Sequence, residues 1–213
     1  MVKCERTYPA PSSLAKNHSY NESDTIQRLK EIFHDKCYIC EMQGLQDGVP
    51  EHLIPHKENK DLKFDWKNLF WACNRCNSIK NNVKYEGKIL NCCEVDPEKH
   101  LLCVYEPHEG KIFIKARDTA ENSKMTAMLI DESFNLDNTG LRQSSHSERM
   151  RAFRAEWNNF LKYLDEYRRA KTRFAFKKVK ARLNRSTVFA AIKRDYIRIH
   201  RSEWKDFQKF VDE

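Results

Sequence analysis

Two Cys-x-x-Cys pairs, Cys37/Cys40 and Cys73/Cys76, constrain this chain more than any other feature of its sequence. Each pair presents two thiolates from one tight turn, and two such pairs supply the four sulfur ligands of a closed tetrahedral zinc site. Four free thiols or two local disulfides are the alternatives. The pattern favours a structural zinc ion that links the two pairs, so that zinc binding contributes directly to folding.

The cellular compartment bears on how the eight cysteines are used. Residues 1–6 lack the apolar core of a secretion signal, so metal binding is favoured over disulfides and the cytoplasm is the expected location. The sequence contains no apolar run of about 18 residues, so no membrane span is expected. Four further cysteines are expected to be small buried apolar residues: Cys4, Cys92, Cys93 and Cys103.

The segment between the cysteine pairs carries residues suited to phosphodiester hydrolysis. His52 is a candidate general base, because a neutral imidazole takes up a proton near neutral pH. Its neighbour Glu51 offers a hard oxygen ligand for Mg²⁺ or Mn²⁺, and Asn77, directly after the last cysteine, can supply a second. Asn68 can accept a hydrogen bond from the His52 ring or fix the loop beside it. Lys80, one helical turn after Asn77, is expected to face a phosphate.

Taken singly, each of these residue types occurs on a surface or in a turn more often than in an active site. Together they form a pattern that resembles the HNH endonucleases of the ββα-metal type: Cys37-x-x-Cys40, Glu51-His52-x-x-Pro55, Trp66-x-Asn68-Leu69 and Cys73-x-x-Cys76-Asn77-x-x-Lys80. The resemblance implies that His52 is the general base and that Asn68 orients it. It also implies that Asn77 and Glu51 bind a catalytic Mg²⁺ or Mn²⁺ ion.

Two positions depart from the commonest form of that motif. Glu51 stands where aspartate is commoner and Asn77 where histidine often stands, which leaves the metal preference open. His56 has no fixed role in the motif. It is expected either to contact the substrate phosphate or to be an ordinary residue of its loop.

A narrower resemblance covers more of the chain. The parts that carry it are Arg6-x-x-Pro9, the Trp66-x-Asn68-Leu69 segment, Asp96-Pro97, and residues 136–142 followed by a basic helical tail. They are similar to the HNH subunit of Septu-type anti-phage systems and to retron-associated HNH nucleases. It implies an ATPase partner in a hetero-oligomer and degradation of DNA in antiviral defence. The alternatives are a non-catalytic zinc-ribbon-like module that binds nucleic acid or protein, and an HNH nuclease that acts on RNA.

Positive charge is concentrated in the last third of the chain. The whole chain has a net charge of +8, yet residues 142–213 hold 20 Lys/Arg against 9 Asp/Glu. Between Arg168 and Arg194 there are 11 basic residues and no acidic one. A charge run is usually a solvated helix face, but the length of this one and its interleaved aromatic residues favour a partner. That partner is DNA or an acidic groove of the ATPase subunit.

Hydrophobic periodicity predicts an α+β protein with a helical C-terminal region. The resemblance to HNH endonucleases implies that its core is a zinc-stapled ββα-metal nuclease fold. Residues 1–141 are assigned to the nuclease domain with its N-terminal arm and zinc site, and residues 142–213 to the basic helical region. Alternation predicts strands at 49–54, 88–93, 101–105 and 111–115. Helical spacing predicts helices at 24–35, 74–82, 119–132 and 172–183, with further helices around 150–164 and after 187.

Overall fold

The protein has an α+β fold. The computed structural model describes residues 1–136 and 140–212, and at residues 140–142, 144 and 145 it describes the backbone alone. In these ranges the helices are α1 (Ser23–Ile32), α2 (Lys60–Lys63), α3 (Asn74–Lys80), α4 (Pro97–His100), α5 (Glu121–Asn135), α6 (Gly140–Ala170), α7 (Arg173–Arg182) and α8 (Ala190–Ile199). The strands are β1 (Gly48–His52), β2 (Leu69–Cys73), β3 (Leu101–Glu106) and β4 (Lys111–Ala116). Short 3₁₀ segments cover Ser12–Lys16, Trp66–Asn68, Val83–Tyr85 and Lys205–Phe210. Among the helices of the described ranges, none combines the length and the apolar character that crossing a bilayer requires.

Most of the predicted elements are confirmed with shifted ends, but the strand predicted at 88–93 is wrong. These residues form turns and irregular chain. The Cys92 carbonyl accepts a hydrogen bond from the Cys4 amide (2.9 Å), and the Leu90 amide donates to the Thr126 hydroxyl (2.9 Å). Backbone groups that a strand would use in a sheet are therefore satisfied by the N-terminal arm and by α5.

The first sheet positions the segment between the cysteine pairs. Strands β1 and β2 are antiparallel, with Glu51 opposite Phe70 and His52 opposite Leu69. All five residues of β2 are buried, as expected for an uninterrupted apolar run packed on both faces. Gly48 lies so close to Trp71 that a Cβ atom would overlap the indole ring. Strand β2 continues directly into α3, so the second cysteine pair spans a strand end and a helix start.

The second sheet joins the two predicted regions of the chain. Strands β3 and β4 form an antiparallel hairpin that packs on α5 and α8. Asp195 of α8 accepts a hydrogen bond from the Cys103 amide at 2.7 Å. One cluster of buried apolar residues includes members from both sides of residue 141. The basic C-terminal helices are therefore packed into the same core as the first part of the chain.

The N-terminal arm packs against the first sheet. The Arg6 guanidinium donates to the carbonyls of Trp66 (2.7 Å) and Leu69 (2.9 Å), and it lies 4.9 Å from the Phe70 ring centroid. The Trp66 indole in turn donates to the Thr7 carbonyl at 3.0 Å. The arm thus fixes both ends of the 3₁₀ segment that contains Asn68.

Candidate active site

The four paired cysteines form a cluster that fits a structural metal such as zinc. Their sulfur atoms all lie within 4.8 Å of one another, and all four residues are buried. Tetrahedral zinc with Zn–S bonds of about 2.3 Å places its ligands about 3.8 Å apart, and the sulfurs of Cys40 and Cys73 are 3.9 Å apart. Cys37 and Cys40 lie in the turn after α1, Cys73 ends β2, and Cys76 lies in the first turn of α3.

A buried arginine from the C-terminal region complements this cluster. Arg149 of α6 is 4% exposed, and its Nη2 donates to the Cys73 sulfur at 3.5 Å. Burial opposes the charge of this guanidinium, but the nearby Cys40, Cys76 and Cys73 thiolates raise the pKa of Arg149 well above its ordinary value. A zinc ion with four thiolates carries a net negative charge, which Arg149 partly neutralises. The sequence gives no local signal for this contact because 76 residues separate the partners.

His52, at the end of β1, has the protonation pattern of a base. Its Nε2 lies 3.0 Å from the Lys63 carbonyl oxygen. A carbonyl only accepts, so Nε2 carries the hydrogen and Nδ1 of the neutral ring keeps a lone pair. Burial lowers the pKa of His52, with the Lys63 hydrogen bond acting in the opposite direction. The imidazole is therefore neutral at neutral pH, as a proton acceptor must be.

Asn68 fixes the loop that follows His52. Its side-chain oxygen accepts from the Ile54 amide (2.8 Å), and its side-chain nitrogen donates to the carbonyls of Ile54 (2.8 Å) and Leu62 (3.0 Å). Of the two roles considered for Asn68, the geometry matches the loop-fixing one. Because Leu62 precedes Lys63, the same contacts locate the carbonyl that sets the His52 tautomer.

Glu51 lies in a buried ion pair with Lys80. The Lys80 ammonium is 3.2 Å from Glu51 Oε2 and also donates to the His52 carbonyl at 2.7 Å. The Tyr38 hydroxyl donates to the other carboxylate oxygen. Burial raises the pKa of Glu51, while Lys80 and Tyr38 oppose the rise.

The position of Lys80 corrects the expectation that it faces a phosphate. Its side chain is 2% exposed. Cys76, Ile79 and Lys80 are the buried residues of α3, and their i, i+3, i+4 spacing defines the inward face of that helix. Lys80 therefore points to the interior, where it meets Glu51.

Four of the predicted residues, Glu51, His52, His56 and Asn77, meet at a polar cavity of about 250 Å³. It is lined by Tyr20, Pro50, Glu51, His52, Pro55, His56, Lys57, Asn77 and Asn81. The ring centroids of His52 and His56 are 4.7 Å apart, and the rings of Tyr20 and His52 form a T-shaped pair with centroids 4.7 Å apart. The Glu58 amide donates to His56 Nδ1 at 3.1 Å, so His56 carries its hydrogen on Nε2 and offers a donor.

Four lining residues were not predicted: Tyr20, Pro50, Lys57 and Asn81. Asn81 follows Asn77 by four positions, which places both on one face of the chain leaving α3, so helical spacing could have identified it. Tyr20 comes from the N-terminal arm, far from the site in sequence, and no local pattern points to it. Asn68 and Lys80 do not line the cavity. Asn68 forms hydrogen bonds with the backbone of Ile54 and Leu62, and Lys80 donates to the His52 carbonyl.

No family model, curated protein or solved structure matches this chain.

Proposed function

We propose that the protein is a metal-dependent endonuclease of the HNH, ββα-metal type that hydrolyses phosphodiester bonds of DNA. The observation that carries the proposal is the 3.0 Å contact between His52 Nε2 and the Lys63 carbonyl oxygen, which fixes the tautomer of the ring. A neutral imidazole with its Nε2–H on the Lys63 carbonyl has Nδ1 as its basic atom, and the ring lines the same cavity as Glu51 and Asn77. His52 Nδ1 takes a proton from the attacking water.

The oxygen donors at the cavity suit a hard cation. Glu51 supplies a carboxylate and Asn77 an amide oxygen, and Mg²⁺ is commonly held by one or two protein oxygens together with water and phosphate. Bound there, Mg²⁺ or Mn²⁺ would neutralise charge on the phosphate and the leaving oxygen. Lys80 already neutralises Glu51, so it competes with the ion for that carboxylate. His56 Nε2–H is a donor for a non-bridging phosphate oxygen.

The contact between Arg6 and the Trp66–Leu69 segment supports the narrower similarity to Septu-type nucleases, because it unites two separate parts of that pattern. We therefore propose that the chain is the nuclease subunit of an anti-phage complex with an ATPase. The zinc-linked cysteines have a structural role in this scheme. Cys76 directly precedes Asn77, so the zinc site also positions a proposed ligand of the catalytic metal.

Cleavage by His52→Ala tests the proposal. The purified chain, alone and with an ATPase encoded beside it, is incubated with plasmid, single-stranded DNA and RNA in Mg²⁺ and then in EDTA. We expect His52→Ala to lower the cleavage rate by about 10²–10⁴-fold, the usual contribution of a general base. Its zinc content and circular dichroism should match the wild type, because His52 does not contact the cysteine cluster.

His108→Ala is the matched control, since His108 is exposed in the turn between β3 and β4. It should cut at the wild-type rate. Wild-type cleavage by His52→Ala, or wild-type cleavage that persists in EDTA, would contradict the proposed chemistry. Nucleic-acid binding without cleavage under any of these conditions would favour a non-catalytic zinc module. Cleavage of RNA alone would keep the mechanism and change the substrate.

A further inference from the structure

Most of the cations between Arg168 and Arg194 form ion pairs with carboxylates of the same chain. Seven of the eleven cations in this basic run form ion pairs with carboxylates, among them Arg182 with Glu156 and Arg194 with Glu98. Across the described residues, the four that form no ion pair are Lys171, Arg173, Lys177 and Lys180, and all four are exposed. The cations of this run that form no ion pair are therefore confined to α7 and the residue pair before it.

Three of these four cations form one stripe on α7, and Lys171 lies just before the helix. Ala175 and Val179 are the buried residues of this helix. Arg173, Lys177 and Lys180 follow i, i+4, i+7 spacing on the opposite side, and at 1.5 Å per residue they span about 10 Å. No acidic residue lies on α7 itself, and the α6 carboxylates Glu166 and Glu156 pair with Lys178 and Arg182 rather than with the three residues of the stripe. The arrangement is a linear array of unneutralised positive charge.

Aromatic rings lie beside the stripe. Phe174 is 69% exposed. The Lys178 ammonium lies 4.8 Å from the centroid of its ring. At the other end, the Lys180 ammonium lies 4.7 Å from the Phe210 ring centroid. Both rings therefore lie next to cations and close to solvent.

The stripe ends at a cavity of about 530 Å³. Lys180, Asn184, Arg185, Arg194 and Phe210 line it. Glu98 accepts hydrogen bonds from Arg185 (2.7 Å) and Arg194 (2.6 Å), which holds both guanidiniums in place and offsets part of their charge. Lys180 thus joins the exposed stripe to a preformed polar recess.

We propose that the α7 stripe (Arg173, Lys177 and Lys180), together with Lys171 and Phe174, binds a single strand of nucleic acid. The cations contact successive phosphates, and Phe174 stacks on an unpaired base. Single strands are bound without sequence preference by this combination of a positive track and aromatic platforms. An acidic protein groove would match the charge but gives no reason for an exposed ring beside it. The site does not depend on the cleavage chemistry proposed for His52.

The test measures binding by a chain that cannot cut. In a His52→Ala background, fluorescence anisotropy follows a fluorescein-labelled single strand of about 20 nucleotides, as DNA and as RNA. The triple variant Arg173→Gln/Lys177→Gln/Lys180→Gln should bind both probes at least ten-fold more weakly. The slope of log Kobs against log salt, between about 50 and 200 mM, should fall by about 2, because each lost phosphate contact contributes about 0.7.

The matched control is Lys115→Gln/Lys124→Gln/Lys205→Gln, which removes three exposed cations from other parts of the surface. It should leave the affinity within about three-fold and the salt slope unchanged. Phe174→Ala should weaken binding about five-fold or more without changing the slope, because stacking releases no counterions.

Equal losses in the two triple variants would overturn the proposal, because net charge alone would then explain binding. Absence of binding at 50 mM salt would also overturn it and would leave an acidic protein as the partner of α7. An unchanged affinity in Phe174→Ala would remove the single-strand assignment. This test measures binding and not cleavage. Absence of cleavage by the wild-type protein would therefore contradict the proposed nuclease function without affecting the proposed binding site on α7.

Discussion

Replacement of Lys80 by methionine removes one charge from the buried ion pair behind the candidate site. Lys80 Nζ lies 3.2 Å from Glu51 Oε2, and both side chains are 2% exposed. At an effective dielectric constant of about 20, two unit charges at that distance attract by about 5 kcal/mol. The variant also leaves the carboxylate buried without a counter-ion, a change that costs about 3–5 kcal/mol in comparable pairs. We expect the free energy of unfolding to fall by about that amount near pH 8.

This cost should depend on pH because protonation relieves it. Burial raises the pKa of Glu51, and Lys80 and the Tyr38 hydrogen bond oppose the rise. Without Lys80 the pKa of Glu51 in the folded state rises further. A carboxyl group whose folded-state pKa is raised contributes stability below its unfolded pKa and loses it as the pH rises through the folded value. The difference between wild type and Lys80→Met should therefore be smaller near pH 6 than near pH 8.

Urea unfolding followed by tryptophan fluorescence, with zinc in excess, measures the effect. The double variant Glu51→Gln/Lys80→Met is the matched control, because it removes both charges and keeps an acceptor for Tyr38. It should recover most of the loss. A loss below about 1 kcal/mol in the single variant, or a double variant as unstable as the single one, would refute the reasoning.

The same variant tests competition between Lys80 and a metal ion. If Lys80 opposes a cation at Glu51, Lys80→Met should bind Mn²⁺ at least ten-fold more tightly in calorimetric titration. The double variant should bind no more tightly than the wild type, since it lacks the carboxylate. An unchanged Mn²⁺ affinity in Lys80→Met would show that Glu51 is not a metal ligand.

Removal of zinc by a chelator should unfold the part of the chain that contains the cysteine pairs, because four buried thiolates then lose their counter-ion. Tryptophan fluorescence should fall on chelation and recover when zinc is restored. Asn68→Ala should lower the free energy of unfolding by about 2–4 kcal/mol, because it removes three hydrogen bonds to part-buried backbone groups of Ile54 and Leu62, each worth about 0.5–1.5 kcal/mol. Hydrogen exchange at the Ile54 amide should speed up, and unchanged protection there would contradict the loop-fixing role. Burial opposes ionisation of Glu98, but Arg194, Arg198 and Arg185 lower the pKa of Glu98 below its ordinary value of 4.5. Its stabilising effect is present above that value and lost as the pH falls through the folded pKa, so the stability difference between wild type and Glu98→Gln should shrink from pH 7 to pH 4.

Much of the site follows from short-range patterns. Cys-x-x-Cys spacing defined the four clustered sulfurs, because each pair needs only one turn to present both ligands. The adjacency of Cys76 and Asn77 and the strand at Glu51–His52 brought the candidate residues to one cavity. These are local relations, and a local pattern contains the geometry that they require.

Local patterns gave the wrong orientation where a residue lies on a helix with two possible faces. Lys80 follows Asn77 by three positions and Asn81 follows it by four, so both are within one turn. The buried face of α3 takes Lys80 because it continues the Cys76–Ile79 stripe, while Asn81 reaches the cavity. The prediction of a strand at 88–93 was wrong because the hydrogen-bond partners of this segment lie in the N-terminal arm and in α5, which the local pattern does not indicate.

The sequence by itself determined the four-cysteine cluster, the apolar strand behind the site and the concentration of positive charge near the C-terminus. Only the tertiary structure decided which charges are free. Glu98 and Glu156 are distant in sequence from the arginines and lysines that they neutralise, so composition overstated the basic surface. Arg149 and Tyr20 likewise reach their sites from remote segments. Contacts between residues far apart in the chain depend on how the helices and sheets pack, which no spacing rule encodes.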